Sequence, residues 1–137
     1  MPLDRAASSS LQTSIVPWLS LRNSANAVEF YKSAFGAIEV YKLDGEGKGV
    51  VARLSVDGAE FWLSEESPEH GNSGPDPSDE CPVRMILTVA DPDAMFARVL
   101  AAGAIEVYPV SEGHGWRIGR VMDPFGHHWE IGRPTSS

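Results

Sequence analysis

Gly36-Ala37-Ile38-Glu39-Val40-Tyr41 recurs unchanged as Gly103-Ala104-Ile105-Glu106-Val107-Tyr108, about half of the 137-residue chain further on. The flanks of the two copies agree as well. Upstream of each lies a strand-like apolar run followed by a helical pattern; downstream lie further strand-like runs. A six-residue word with matching surroundings on both sides points to an internal repeat of one supersecondary unit.

Working outward from the first copy, Ile15 to Leu21 reads as an opening strand. Asn23 or Ser24 caps a helix from about Ala25 to Phe35, with Ala27, Val28, Tyr31, Ala34 and Phe35 at helical spacing. Gly36 is its stop. Ile38 to Leu43 is a strand, and Val50 to Val56 with Ala59 to Ser64 forms a hairpin about Asp57-Gly58, a two-residue turn pair. Around the second copy the order repeats. Val83 to Val89 is a strand, Asp91 caps a helix with Pro92 at its first position, and Gly103 ends it. Ile105 to Pro109, Arg117 to Met122 and His128 to Ile131 are strands, the last hairpin turning through Asp123-Pro124-Phe125-Gly126. The expected fold class is α+β: two tandem βαβββ modules, each a curved mixed sheet around a concave cleft. The divisions are a tail over 1–14, a first module over 15–66, a linker over 67–82 rich in Pro, Gly, Ser and acids, a second module over 83–133, and a tail over 134–137. Modules of about 50 residues are marginal alone, so they are expected to pack together or across a dimer.

Composition bounds the function. The chain carries 11 basic and 19 acidic residues, a formal charge of −8, with 42% apolar residues. The acidic balance argues against a nucleic-acid partner, which needs a basic face. It is compatible with a cationic ligand, but Glu65, Glu66, Glu69, Asp76, Asp79 and Glu80 place much of it in or beside the linker. The one cysteine, Cys81, allows no internal disulfide and fits a reducing compartment such as the cytoplasm. No apolar run is long enough to span a bilayer, and the first residues lack a secretory h-region.

Alternation along the strands sorts side chains by face. Leu19, Leu21, Phe61 and Leu63 face the helix, which leaves Trp18 and Trp62 for the other side. Met85, Leu87 and Val89 pack inward, leaving Arg84, Ile86 and Thr88; His128 and Glu130 share a face. The expected cavity therefore shows Trp18, Trp62, Arg84, Ile86, Thr88, His128 and Glu130, an apolar, aromatic site with a few polar groups suited to a small organic molecule. Stacking on indole suits a planar or cationic ligand; the alternative is that the two tryptophans fill a closed core. The glycine-flanked loop Glu112-Gly113-His114-Gly115-Trp116-Arg117 is a candidate flap, adding Trp116 and Arg117 to the ligand residues. His114 is the candidate general base, with Glu130 as its acid–base partner.

Val28-Glu29-Phe30-Tyr31-Lys32 with Phe35-Gly36-Ala37, and Gly119-Arg120-Val121 with Asp123-Pro124-Phe125-Gly126-His127-His128-Trp129-Glu130, resemble the vicinal oxygen chelate superfamily, the glyoxalase/bleomycin-resistance/dioxygenase group. Pro17-Trp18-Leu19 and Phe125-Gly126-His127 are most similar to its PhnB-like branch. The resemblance runs from about Ile15 to Gly132. It implies paired chains, and in metal-dependent members four ligands on one divalent ion, drawn from the first and last strand of each unit. By the repeat those positions are Glu130, Trp62, Arg84 and either Val16, by strand phase, or Pro17, by the residue count. Of these only Glu130 ligates metals. The expectation is a metal-free cleft with Arg84 paired to Glu130 in the place of the ion, in a homodimer that binds a small aromatic or cationic molecule without a cofactor. Two alternatives stay open: a divalent metal such as zinc, nickel or iron held by His128 and Glu130 with His70 or His114, serving a lyase, isomerase or dioxygenase; and a metal-independent enzyme using His114 and Glu130.

Overall fold

The computed structural model describes residues 11–45, 47, 49–76 and 81–135. Most of the expected N-terminal tail, Ser136 and Ser137 of the C-terminal one, and Asp79 and Glu80 of the linker lie outside the described residues. The elements are β1 (Trp18–Leu21), α1 (Ser24–Phe35), β2 (Ile38–Asp44), β3 (Val50–Val56), β4 (Ala59–Glu65), a 3-10 turn (Pro68–His70), β5 (Arg84–Thr88), α2 (Pro92–Ala101), β6 (Ile105–Gly113), β7 (Trp116–Met122) and β8 (His128–Pro134). They form two four-stranded sheets of the same order, β1-β4-β3-β2 and β5-β8-β7-β6. In each, the first strand runs parallel to the last and the rest are antiparallel. The βαβββ unit thus occurs twice, as the repeated word implied.

The word specifies the same backbone twice. Gly36 ends α1 at φ 73° and Gly103 follows α2 at φ 124°, conformations in which a Cβ is penalised. The strand register then slips between Glu39 and Tyr41 in one copy and between Glu106 and Tyr108 in the other. A bulge of this kind re-aims the residues that follow it. Tyr41 lands opposite Arg53, and Tyr108 opposite Arg120.

Leu19, Leu21, Ala52, Leu54, Phe61 and Leu63 are buried under α1, whose Ala27, Val28, Tyr31, Ala34 and Phe35 meet them. The cores of the two units merge at Trp129, whose ring lies 4.7 Å from Phe35, 5.3 Å from Phe61 and 5.7 Å from Tyr31. Asp123, 1% exposed, fastens the junction. Its carboxylate accepts hydrogen bonds from the Tyr31 hydroxyl (2.5 Å), Trp129 Nε1 (2.9 Å), Phe125 N (2.9 Å) and His127 N (3.0 Å). A buried carboxylate is tolerated because each lone pair finds a donor. Burial, and then the Asp123 charge, push the Tyr31 hydroxyl well above its usual pKa, so it stays a donor.

Several local expectations are corrected. β1 begins at Trp18 rather than Ile15, because β4 offers parallel partners only to Trp18–Leu21, and Ile15 stands 96% exposed. Neither Asn23 nor Ser24 caps α1 with its own side chain. Asn23 is at φ 66° with no side-chain cap, and the helix start is held from β4 by Glu65. Glu65 accepts from Asn23 N (3.0 Å), Ser24 N (2.9 Å) and Ser24 Oγ (2.7 Å). Burial raises that carboxyl's pKa, and these hydrogen bonds outweigh it, leaving the group below the ordinary value. Asp91 caps α2 as expected, accepting from Ala94 N at 3.1 Å. β6 and β8 run longer than expected, since the hairpin continues to the His114-Gly115 turn.

Candidate functional site

The face of each sheet away from its helix is open. Across the first sheet the register sets Trp18 beside Trp62, Trp62 beside Arg53, and Arg53 beside Tyr41. The two indoles stack with centroids 5.0 Å apart and planes 5° from parallel. Tyr41 lies 5.8 Å from the Trp62 ring, and the Arg53 guanidinium sits 5.6 Å from its centroid while also ion-pairing with Glu60. Trp18 Nε1 donates to Ser64 Oγ at 2.9 Å. Trp18 is 55% exposed, so the pair is a platform rather than the filling of a closed core.

The matching row of the second sheet is Ile86, Glu130, Arg120 and Tyr108. Arg84 Nε donates to Glu130 Oε2 at 2.5 Å, so the expected pair forms, reaching across from two rungs before Ile86. Arg120 Nε donates to His128 Nδ1 at 3.0 Å, which requires that nitrogen to be unprotonated. Burial first, and then the Arg120 charge, hold the His128 pKa below its usual value.

The expected residues are spread over two sheets rather than gathered in one pocket. Arg84 and Ile86 line a groove of about 460 Å³ at the junction of the units, together with Val16 and Glu60; the two indoles are not among its walls. Thr88 and Ile86 line a neighbouring groove of about 630 Å³. Trp116 is half-buried opposite Pro134. Arg117 must be removed from the ligand set. Strand alternation puts it on the helix side, where it holds Asp93 in the first turn of α2 through two bonds of 2.7 and 2.6 Å. His114 and Gly115 form a tight hairpin turn with φ 54° and 83°, not a loose flap. The turn adjoins the Trp116–Pro134 rung, four rungs from Arg120–Glu130, roughly 13 Å at about 3.3 Å per residue. The proposed His114–Glu130 acid–base couple is therefore not assembled within the chain.

Arg53, Arg120, Tyr41 and Tyr108 were missed. The Asp57-Gly58 turn carried the signal for Arg53, because counting back from a two-residue turn sets it opposite Trp62. Arg120 required the length of the longer Asp123 turn, and the tyrosines required the bulges, neither of which alternation reports.

The residues present do not fit a divalent metal at the position the fold implies. The four positions hold Val16 or Pro17, Trp62, Arg84 and Glu130, and the one carboxylate among them faces a guanidinium at 2.5 Å. Among the described residues no three His, Cys, Asp or Glu side chains converge to hold a metal. His70 is turned to Ser67 Oγ at 2.7 Å, and His114 sits on its hairpin tip.

The model of the Glyoxalase/Bleomycin resistance protein/Dioxygenase superfamily matches residues 19–131. Uncharacterized protein Mb0911c of Mycobacterium bovis is 37% identical over 130 residues, 91% of this chain and 86% of that one. The X-ray structure of the Arabidopsis thaliana gene product At5g48480 superposes with a TM-score of 0.65 at 32% identity, covering 88% of this chain and 96% of that chain. The crystal structure of TioX from Micromonospora sp. ML1 gives a TM-score of 0.66 at 25% identity, covering 91% and 98%.

Proposed function

This chain belongs to the glyoxalase/bleomycin resistance protein/dioxygenase superfamily, and from that premise we propose that it binds a small aromatic molecule on the open faces of its sheets without a divalent metal. The observation that carries the reading is the occupancy of the family's metal position. Arg84 stands at one of the positions the resemblance gives to metal ligands and bonds Glu130 at 2.5 Å, and Trp62, stacked on Trp18, stands at another. An exposed indole pair with a flanking tyrosine offers a planar ligand contact area at little cost in side-chain ordering. A cationic ligand is less well served than the net charge suggests. Glu60 and Glu130 are each already paired with an arginine. The reading includes a homodimer working in the cytoplasm and the PhnB-like branch, the last resting on Pro17-Trp18-Leu19 and Phe125-Gly126-His127. Exposed apolar side chains on the outer strands, Ile38, Leu43 and Ile105 among them, support association of chains.

The test is a tryptophan-fluorescence titration with a panel of planar aromatic compounds, bleomycin-like and mitomycin-like molecules included, alongside metal analysis of gently purified protein. Saturable quenching is expected, weakened about tenfold in Trp62→Ala, the equivalent of about 1.4 kcal/mol. Stoichiometric zinc, nickel or iron, or a flat response across the panel, overturns the proposal.

A further inference from the structure

The open face of the second sheet does not share the acidity of the chain. The sequence has a formal charge of −8, yet the charged side chains on this face are Arg84 and Arg120 against Glu130 alone, with His128 held toward its neutral form. Arg133 and Arg117 pair with each other across the ladder on the opposite side, as do Glu106 and Glu112 with their β7 partners. Arg84 and Glu130 cancel. Arg120 is left with a neutral acceptor, since its Nε bond ends on His128 Nδ1 at 3.0 Å. Among the described residues its terminal guanidinium nitrogens have no hydrogen-bond or ion-pair partner. Arg120 lines a pocket of about 300 Å³ whose wall also includes Tyr108, Ser111, Ile118 and Glu130.

We propose that this pocket is an oxyanion subsite in which Arg120 receives the carboxylate, phosphate or phosphonate group of the ligand. The inference rests on the small-molecule reading above and narrows it to aromatic acids. Arg120 is suited to the role because the His128 bond fixes one edge of a planar fork and leaves the other for a bidentate contact. The hydroxyls of Tyr108 and Ser111 add donors, and Ile118 gives the body of the ligand an apolar surface. Glu130 would repel an anion if it stood alone; the Arg84 bond at 2.5 Å offsets its charge.

Three ligands of similar length separate the possibilities: phenylacetate, phenethylamine and neutral 2-phenylethanol, titrated into the full chain at low salt. Binding is read from backbone amide shifts and from the Arg120 Nε–H resonance. The acid is expected to bind about tenfold more tightly than the amine. That ratio falls toward one in Arg120→Gln and recovers only in part in Arg120→Lys, which restores charge but not the fork. The amide spectra of both variants report whether the fold is kept. Inorganic phosphate alone is expected to move the Arg120 Nε–H resonance in the wild type. An amine that binds as well as the acid, a preference that survives in Arg120→Gln, or an Arg120 resonance that ignores phosphate overturns the subsite. Failure of all three aromatic ligands overturns the small-molecule reading instead, and the phosphate response then reports on the subsite by itself.

Discussion

The two units share a backbone and differ in what they place on it. In the first, the row across the open face is Trp18, Trp62, Arg53 and Tyr41; in the second it is Ile86, Glu130, Arg120 and Tyr108. The arginine and tyrosine are common to both rows, fixed by the hairpin register and by the bulge inside the repeated word. The first two positions diverge into a stacked indole pair and an aliphatic residue beside a carboxylate. One unit thus offers π surface, the other directed charge. The turns differ too. Asp57-Gly58 joins β3 to β4 in two residues, whereas the β7–β8 turn runs from Asp123 to His127 and carries Phe125 against Phe30 at 5.9 Å and Tyr31 at 6.2 Å. Beside the shorter turn the corresponding space between α1 and α2 remains a groove of about 830 Å³. Two units of one design therefore bury their junction unequally, and the longer turn holds them together.

The largest expected effect comes from breaking that asymmetry. Asp123→Ala strands four donors, two of them backbone amides, and is expected to cost about 3–5 kcal/mol in urea unfolding. Tyr31→Phe removes one of the bonds and is expected to cost only about 1–2 kcal/mol. Equal losses for the two variants would mean that Asp123 is not the hub of the junction.

Exchanging residues between the units sharpens the comparison next. Gly132 occupies the position that Ser64 holds in the first unit. A Cβ on Gly132 would meet the Arg117 carbonyl oxygen at 2.5 Å and Ile118 Cβ at 2.7 Å. Gly132→Ser is expected to destabilise by about 1–3 kcal/mol. Ser64→Gly gives up the Trp18 Nε1 bond and some strand propensity, about 1 kcal/mol. Similar losses would show that the second sheet has room the geometry denies it.

The smallest effect is a pH dependence that belongs to the second unit. His128 has its pKa depressed by folding. The native state therefore binds fewer protons here than the unfolded chain. The His128 contribution to stability is whole above about 6.5 and is lost as pH falls through the folded value. Thermal midpoints measured between pH 8 and 5 are expected to fall less steeply in this window for His128→Gln, which keeps an acceptor for Arg120. An unchanged slope would mean that other groups carry the pH dependence there.

Much of the fold was legible because the repeated word is local chemistry: a glycine that stops a helix, then a strand, then a hairpin with its own turn signal. The facing of Trp18, Trp62, Arg84, Ile86 and Glu130 followed from alternation, and the Arg84–Glu130 pair from the family resemblance together with the repeat. Arg117 was misplaced because its strand was read as the exit of a mobile loop. Counted from Glu130 through the true register it faces α2. The helix cap escaped because Glu65 is remote in sequence from Ser24 and reaches it only through the β1–β4 pairing.

What the sequence determined by itself was the unit and its duplication, because propensity, turn chemistry and periodicity act over a few residues. It also determined which side chains share a face along the uninterrupted strands around Trp18, Trp62, Arg84 and Glu130. Only the tertiary structure decided that Asp123 joins the two cores, that Trp18 and Trp62 stack in the open, and that Arg120 keeps an unpaired edge. Each of these depends on distances between strands far apart in the chain, which are set by register, bulges and the packing of one unit against the other.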